Sequence, residues 1–198
     1  MAITYILGDS LYINLTNRCS NSCDFCIRLG HGGVGDADSL WLNSEPSVED
    51  VLSEIISHDL EKFKEIVFCG FGEPFERADD LIGIARGIKE RVEVKIRVNT
   101  NGHGNLIAGK NICPDLENII DILSISLNYK SAREYIEHCK PRYGVQGYFG
   151  MLEFAKEAKK HIPEVILSVM DLLSVEDIGQ CRKIAEEIGV GFRVRTFE

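Results

Sequence analysis

Short β-branched apolar runs alternate regularly with segments of helical period, and this alternation restricts the chain more than any other feature. Six runs read as strands: residues 11–16, 65–69, 94–99, 122–128, 165–170 and 191–196. Between them, apolar residues recur at i, i+3, i+4 and i+7, as in Leu81, Ile84, Ala85 and Ile88 and again in Met151, Phe154, Ala155 and Ala158. Ile178, Cys181, Ala185 and Ile188 follow the same spacing approximately. Ser47, Ser131 and Ser174 each stand three residues before an acidic residue, the spacing of a capped helix start. Gly189 sits where the last helix should stop. A further run over residues 3–7 is joined to 11–15 by Gly8, Asp9 and Ser10, which predicts a hairpin.

Strand–helix alternation implies an α/β fold with a parallel sheet and right-handed crossovers. A closed eight-unit barrel takes about 250 residues, or about 31 per unit, so six units need roughly 190. The chain has 198, which predicts one domain over residues 1–198: a partial, six-unit TIM-like barrel with a short N-terminal hairpin. A flat doubly wound sheet is the alternative, but no glycine-rich G-x-G-x-x-G turn follows the first parallel strand.

Several strands are half polar. Lys95, Arg97 and Asn99 alternate with Val94, Ile96 and Val98. Ser124, Ser126 and Asn128 alternate with Leu123, Ile125 and Leu127, and Arg193 and Arg195 with Phe192 and Val194. Strand side chains point to opposite faces in turn. The apolar set should therefore meet the helices, and the polar set should line either a solvated face or a cationic lumen. Outside, the chain is acidic: 22 basic against 31 acidic residues, a formal charge of −9. That excludes broad binding to a nucleic-acid backbone, which needs clustered Lys and Arg. No apolar run is long enough to span a membrane. Seven irregularly spaced cysteines make a poor disulfide framework and fit a reduced, cytoplasmic setting.

Three of those cysteines form Cys19-Ser-Asn-Ser-Cys23-Asp-Phe-Cys26 directly after the first parallel strand. Three thiolates in eight residues can converge on one metal centre, and thiolate suits iron–sulfur clusters and zinc. Structural zinc asks for a fourth protein ligand, for which His31 is the nearest candidate. A [4Fe–4S] cluster on three cysteines leaves one iron open for chemistry. Spacing favours iron–sulfur over zinc without excluding it. Cys69, Cys113 and Cys181 read as small buried hydrophobes. Cys139 lies in a polar, loop-like stretch, His138 to Arg142.

The C-x3-C-x2-C spacing, with Phe25 before its last cysteine, resembles the signature of the radical S-adenosylmethionine (radical SAM) superfamily. Gly70-Phe71-Gly72-Glu73-Pro74 is similar to that superfamily's Gly-Gly-Glu-Pro element, and Asn99-Thr100-Asn101-Gly102 to its Thr-Asn-Gly turn. Ser124-Ile-Ser126-Leu-Asn128 falls where polar residues often face the ribose. Leu40-Trp41-Leu42, Glu45-Pro46, His138-Cys139-Lys140-Pro141 and Phe192-Arg193-Val194-Arg195 resemble the TatD-associated radical SAM proteins, a family named for a neighbouring hydrolase.

The resemblance implies an enzyme with a [4Fe–4S] cluster on Cys19, Cys23 and Cys26, and S-adenosylmethionine as second cofactor. Cofactor contacts are implied for Phe25, Gly70, Gly72, Glu73, Pro74, Asn99, Asn101, Ser126, Asn128, Met170 and Arg193. Arg97 and Arg195 are expected to face a small anionic substrate, because arginine forks suit carboxylate or phosphate. Internal pairing with an acid such as Glu73 is the alternative for these arginines. Flavodoxin or ferredoxin is the expected electron donor, and a TatD-like hydrolase an expected functional neighbour. Residues 27–46 form the longest irregular segment and read as a flap over cluster and substrate, docked by Trp41 and Leu42. His31 and His103 read as exposed loop residues able to serve as proton donors. An activase of a glycyl-radical enzyme and a non-catalytic iron–sulfur or zinc protein are the competing functions.

Overall fold

The computed structural model describes residues 2–30 and 33–196; His31 lies outside the described residues. The hairpin is formed by β1 (Thr4–Leu7) and β2 (Ser10–Ile13), antiparallel, with Leu7 facing Ser10 across a two-residue turn. Gly8 opens that turn at φ +60°, where a side chain would be strained. The strands β3 (Glu65–Phe68), β4 (Lys95–Thr100), β5 (Ile122–Ser126), β6 (Glu164–Met170) and β7 (Gly191–Arg195) follow, each parallel to the one before.

Sheet order is chain order, β1 through β7 without reversal. A doubly wound sheet reverses its strand order at a switch point. Here every right-handed crossover runs the same way, so the helices collect on one face. The sheet is open, since β1 pairs only with β2 and β7 only with β6. This is the expected partial barrel.

Among the described residues, six α-helices connect the strands: α1 (Val48–Ser57), α2 (Ala78–Lys89), α3 (Gly104–Ala108), α4 (Ala132–Cys139), α5 (Val145–Ala158) and α6 (Val175–Ile188). All three expected caps form. Ser47 and Asp50 make a reciprocal capping box, while Ser131 and Ser174 accept the N–H groups of Glu134 and Asp177. Gly189 ends α6 at φ +78°.

The strand alternation sorts as expected. Leu11, Ile13, Ile66, Phe68, Ile96, Val98, Leu123, Ile125, Leu167 and Val169 are buried in one core with the helices. Burying each contributes about 1.5–3 kcal/mol. The intervening Tyr12, Arg97, Asn99, Ser124, Ser126, Ser168, Arg193 and Arg195 lie outside that core and face the concave side. Cys69 follows the same parity. It is half-buried and outside the core, so the reading of it as a core hydrophobe is corrected; Cys113 and Cys181 are core residues as expected.

Within the 27–46 segment, residues 34–40 cover the hairpin edge of the sheet, whereas residues 42–45 bond the loop after β2. Asn17 Nδ2 donates to the Leu42 carbonyl at 2.7 Å, the Leu42 N–H donates to Asn17 Oδ1 at 3.0 Å, and Arg18 pairs with Glu45 at 2.8 Å. Asp36 Oδ1 accepts the Ile6 N–H at 2.6 Å, and the Asp36 N–H donates to the Ile6 carbonyl at 3.3 Å. Leu40 and Leu42 are buried, whereas Trp41 is 43% exposed and touches Phe71 edge-on. A bare edge strand presents unpaired backbone groups, and this segment satisfies some of them.

Candidate active site

The C-terminal ends of the parallel strands share one rim. The cysteine loop leaves β2, Gly70–Glu73 leaves β3, Asn101 follows β4, Asn128 follows β5, and Met170 and Arg195 end β6 and β7. In barrels this is the face that carries the active site.

On the near side of the rim, the turns after β2, β3 and β4 lock together. Gly72 is required there: a Cβ would lie 2.2 Å from the Thr16 carbonyl and 2.6 Å from that of Arg18. The glycine thus serves close approach between two loops. Gly70 similarly abuts the Asn14 side chain. Glu73 is buried, and its carboxylate accepts from the Asn101 N–H (2.7 Å), the Thr100 hydroxyl (2.7 Å) and the Phe75 N–H (3.1 Å). Burial pushes its pKa up to about 7 against the pull of those bonds. Glu73 therefore orients the turns around it through hydrogen bonds already made. Pro74, buried beside it, begins a 3-10 turn where no backbone N–H is needed.

Asn101 is equally committed. Its Nδ2 donates to Ser20 Oγ at 2.8 Å and approaches Cys19 Sγ at 3.8 Å, and its Oδ1 accepts the His103 N–H at 3.0 Å. His103 is fully buried, contrary to the reading of it as an exposed loop residue. Burial holds it down to about 4, so it is neutral near pH 7 and no proton donor there. Cys139 is corrected as well: it is the buried last residue of α4, where Lys140 turns the chain at φ +45°. Its carbonyl and that of His138 accept the N–H groups of Ser22 and Asp24, seating the cysteine loop on the end of α4.

Cys19, Cys23 and Cys26 are half-buried free thiols. Among the described residues, no three His, Cys, Asp or Glu side chains stand close enough to share a metal ion. The fit of a cluster is therefore tested on the chemistry of the donors. The Asn21 N–H donates to Cys19 Sγ at 3.4 Å, Asn101 Nδ2 approaches the same sulfur, and the Arg28 N–H reaches Cys26. A thiol is a poor acceptor and a thiolate a good one, so these donors suit metal-bound sulfur. Burial and then Glu73 push Cys19 up to about 12, and burial raises Cys26. A hydrogen bond with Cys139, followed by burial, raises Cys23. Binding a metal here releases protons. Phe25 packs at the core margin, its ring 6.0 Å from that of Tyr129.

The radical SAM superfamily model matches residues 13–188, from the end of β2 to the end of α6. The chain belongs to the radical SAM superfamily. Enzymes of this superfamily use a [4Fe–4S] cluster and S-adenosylmethionine, and the donor set described above fits the first of these. No curated protein matches the chain. Among solved structures it is similar to SuiB of Streptococcus suis bound to S-adenosylmethionine (TM-score 0.64, 17% identity), covering 94% of this chain and 38% of that one. It is similar to methylornithine synthase, PylB (TM-score 0.64, 16% identity, covering 96% and 53%). It is also similar to a radical SAM methyltransferase of Sphaerobacter thermophilus (TM-score 0.60, 15% identity, covering 98% and 68%). At these identities the likeness is one of fold. The chain spans 38% of the SuiB chain and 53% of the PylB chain.

On the far side of this radical SAM lumen lie the arginines. Arg195 donates to Ser126 Oγ and Asn128 Oδ1, both at 3.4 Å, and Arg193 donates to Ser124 Oγ at 3.0 Å. Neither has a carboxylate partner among the described residues, and both Nε atoms are buried without a hydrogen-bond partner. Burial and then Arg97 pull Arg193 down, and burial pulls Arg195 down. Asn99 is half-buried in the same lumen; its side chain hydrogen-bonds Cys69, and its Oδ1 has no partner. Met170 lies beside Arg195 in the β6–β7 register. Asn128, two residues beyond the end of β5, takes the left-handed φ of +60°, and its amide meets Arg195 and Cys139 Sγ (3.7 Å).

Arg97 is a correction. It lies toward the floor of the lumen and pairs with Glu65 Oε1 at 2.6 Å, with Tyr12 OH at 3.3 Å. Pairing was the alternative reading, though with Glu73 as the expected acid. Glu65 opens the neighbouring strand two residues below the position level with Arg97, within its reach. The residues that sequence reading missed are Ser20, Tyr135 and Gly147, which meet His103, and Asn21, which bonds Tyr135. Only the Ser and Asn inside the cysteine motif hinted at them.

Proposed function

We propose that this chain is a radical SAM enzyme acting on a small anionic substrate bound in the lumen. The observation that carries this reading is the pair Arg193 and Arg195 on β7: two half-buried arginines whose buried Nε atoms have no hydrogen-bond partner and which have no carboxylate partner among the described residues. Leaving buried polar groups unpaired costs about 1–3 kcal/mol each, more when charged. A carboxylate or phosphate supplies what is missing.

When bound, and given one electron by the external donor, the cluster would cleave S-adenosylmethionine to methionine and a 5′-deoxyadenosyl radical able to take a hydrogen atom from the substrate. Cys19, Cys23 and Cys26 hold the cluster. The backbone of Gly70–Glu73, oriented by the Glu73 carboxylate, receives the methionine ammonium, and Arg193 its carboxylate. Ser126, Asn128 and Asn99 serve the ribose, Met170 the adenine, and Arg195 the substrate anion. The Leu40–Leu42, Glu45–Pro46 and 138–141 motifs support placement among the TatD-associated radical SAM proteins, with a cytoplasmic setting and a flavodoxin- or ferredoxin-type donor. Among the described residues, no helix is long and apolar enough to cross a membrane.

Anaerobic reconstitution with iron, sulfide and dithionite tests the class. Four irons per chain and formation of 5′-deoxyadenosine are expected. A colourless protein holding one tight zinc ion sinks the proposal and favours the non-catalytic alternative.

A further inference from the structure

We propose that His103 is a positioning residue for the cluster, acting through the Ser20 hydroxyl to fix the turn between Cys19 and Cys23. The proposal rests on the reading of those cysteines as cluster ligands.

Ser20 and Asn21 lie between the first two thiols, and both are buried. His103, 83 positions from Ser20 in sequence, bonds Ser20 directly and is linked to Asn21 through Tyr135. Its Nδ1 lies 2.8 Å from Ser20 Oγ. Its Nε2 lies 3.0 Å from the Gly147 carbonyl and 3.2 Å from Tyr135 OH, which accepts from Asn21 Nδ2 at 3.0 Å. A carbonyl can only accept, so the network assigns the ring proton to Nε2. Nδ1 is then an acceptor, and the Ser20 hydroxyl donates to it. The Ser20 oxygen is left to accept from Asn101 Nδ2 at 2.8 Å. Asn101 returns to His103 through Oδ1 and the backbone N–H, closing a ring of hydrogen bonds.

The ring's surroundings are shaped to it. Gly147 has no room for a Cβ, which would lie 3.1 Å from His103 Nε2 and 2.8 Å from Pro141 Cβ. The Tyr143 ring closes another side, edge-on at 5.5 Å. One imidazole thus holds the inner cysteine turn against the turn after β4, whose Asn101 also approaches Cys19 Sγ. Hydrogen bonds near the cluster sulfurs set cluster electronics and retention. With Nδ1 gone, the Ser20 hydroxyl loses its acceptor beside Cys19.

Two near-isosteric variants separate this role from general stability. His103→Asn places an amide oxygen near the Nδ1 position and keeps the Ser20 acceptor. His103→Gln places its amide near Nε2 and loses that acceptor. Each loses one of the two main bonds, so their apoproteins should melt alike. The readouts are iron release to a chelator from anaerobically reconstituted protein and the electron paramagnetic resonance spectrum of the reduced cluster. His103→Gln should release iron about tenfold faster, on the scale of one hydrogen bond, with an altered spectrum. His103→Asn should resemble the native protein, Ser20→Ala should match His103→Gln, and combining Ser20→Ala with His103→Gln should add nothing. Equal effects of Asn and Gln, tracking only melting temperature, overturn the proposal. If the native protein takes up no four-iron cluster, the ligand reading itself fails, whatever the variants do.

Discussion

The near wall of the lumen is built from the turns after β2, β3 and β4 and the far wall from strand residues of β5 and β7, and their polar groups are used differently. On the near wall, Glu73, Asn101, Ser20 and His103 donate and accept among themselves, and the bonds run between turns far apart in sequence. On the far wall, among the described residues, Arg193 and Arg195 donate to two serine hydroxyls and one amide oxygen, and their Nε atoms have no acceptor. Satisfied networks hold geometry, whereas unpaired buried charges await a ligand. The difference teaches which polar residues to treat as framework. By that criterion Glu73 and Asn101 belong to the framework of the rim, and the proposal assigns the arginines to what is bound.

The largest test breaks the near wall outright. Replacing Cys19, Cys23 or Cys26 by Ala should abolish cluster uptake and 5′-deoxyadenosine formation while leaving far-ultraviolet circular dichroism intact. Retention of a four-iron cluster by any of these variants removes that cysteine from the ligand set.

Next in size is Glu73→Gln, which leaves three donors facing a side chain with one oxygen. A loss of about 1–3 kcal/mol in denaturant unfolding is expected at neutral pH. The pH dependence has a definite sign. The folded pKa of about 7 lies above the ordinary 4.5, so the native state binds the extra proton. The stability gained from it is full below pH 4.5 and is lost as pH rises through about 7. Glu73→Gln should lack that decline.

A smaller effect is expected on the far wall. Inorganic phosphate at ten times its Kd should stabilise the native protein by about 1.4 kcal/mol. Arg195→Ala should abolish that increment without lowering the melting temperature in phosphate-free buffer, because it removes an unpaired buried charge. A marked loss of stability in phosphate-free buffer would instead class Arg195 with the framework.

The smallest is the acid limb. His103 is held at about 4, below its ordinary 6.5, so its contribution is full above pH 6.5 and lost as pH falls through about 4. His103→Asn should flatten unfolding free energy across that interval relative to the native protein. An unchanged limb assigns the acid sensitivity elsewhere.

Much of the fold was legible in sequence because its signals are local. Helical spacing in residues 81–88 and the three serine caps need only a few neighbouring residues to act. Strand parity also predicted that Ser124, Ser126, Arg193 and Arg195 share a face opposite Leu123 and Ile125. Where reading failed, the partner was remote. Trp41 and Leu42 were both expected to dock the segment; Leu42 is buried as expected, but Trp41 is largely exposed, and it is Leu40 that packs with Tyr5 and Phe71 beside the hairpin. Cys139 looked like loop because polar residues surround it, although Tyr135 four positions earlier shares its buried helix face.

By itself the sequence determined the strand–helix order, the sorting of polar and apolar faces, the capped helix ends and the placing of the cysteine loop on the catalytic rim. Each follows from periodicity and short-range backbone chemistry. The tertiary structure alone decided that Arg97 is neutralised by Glu65, that Arg193 and Arg195 are not neutralised, and that His103 lies beneath the cysteine turn. Pairing depends on which residues the closed crossovers bring within about 3 Å, and a linear pattern of residue types does not specify that distance.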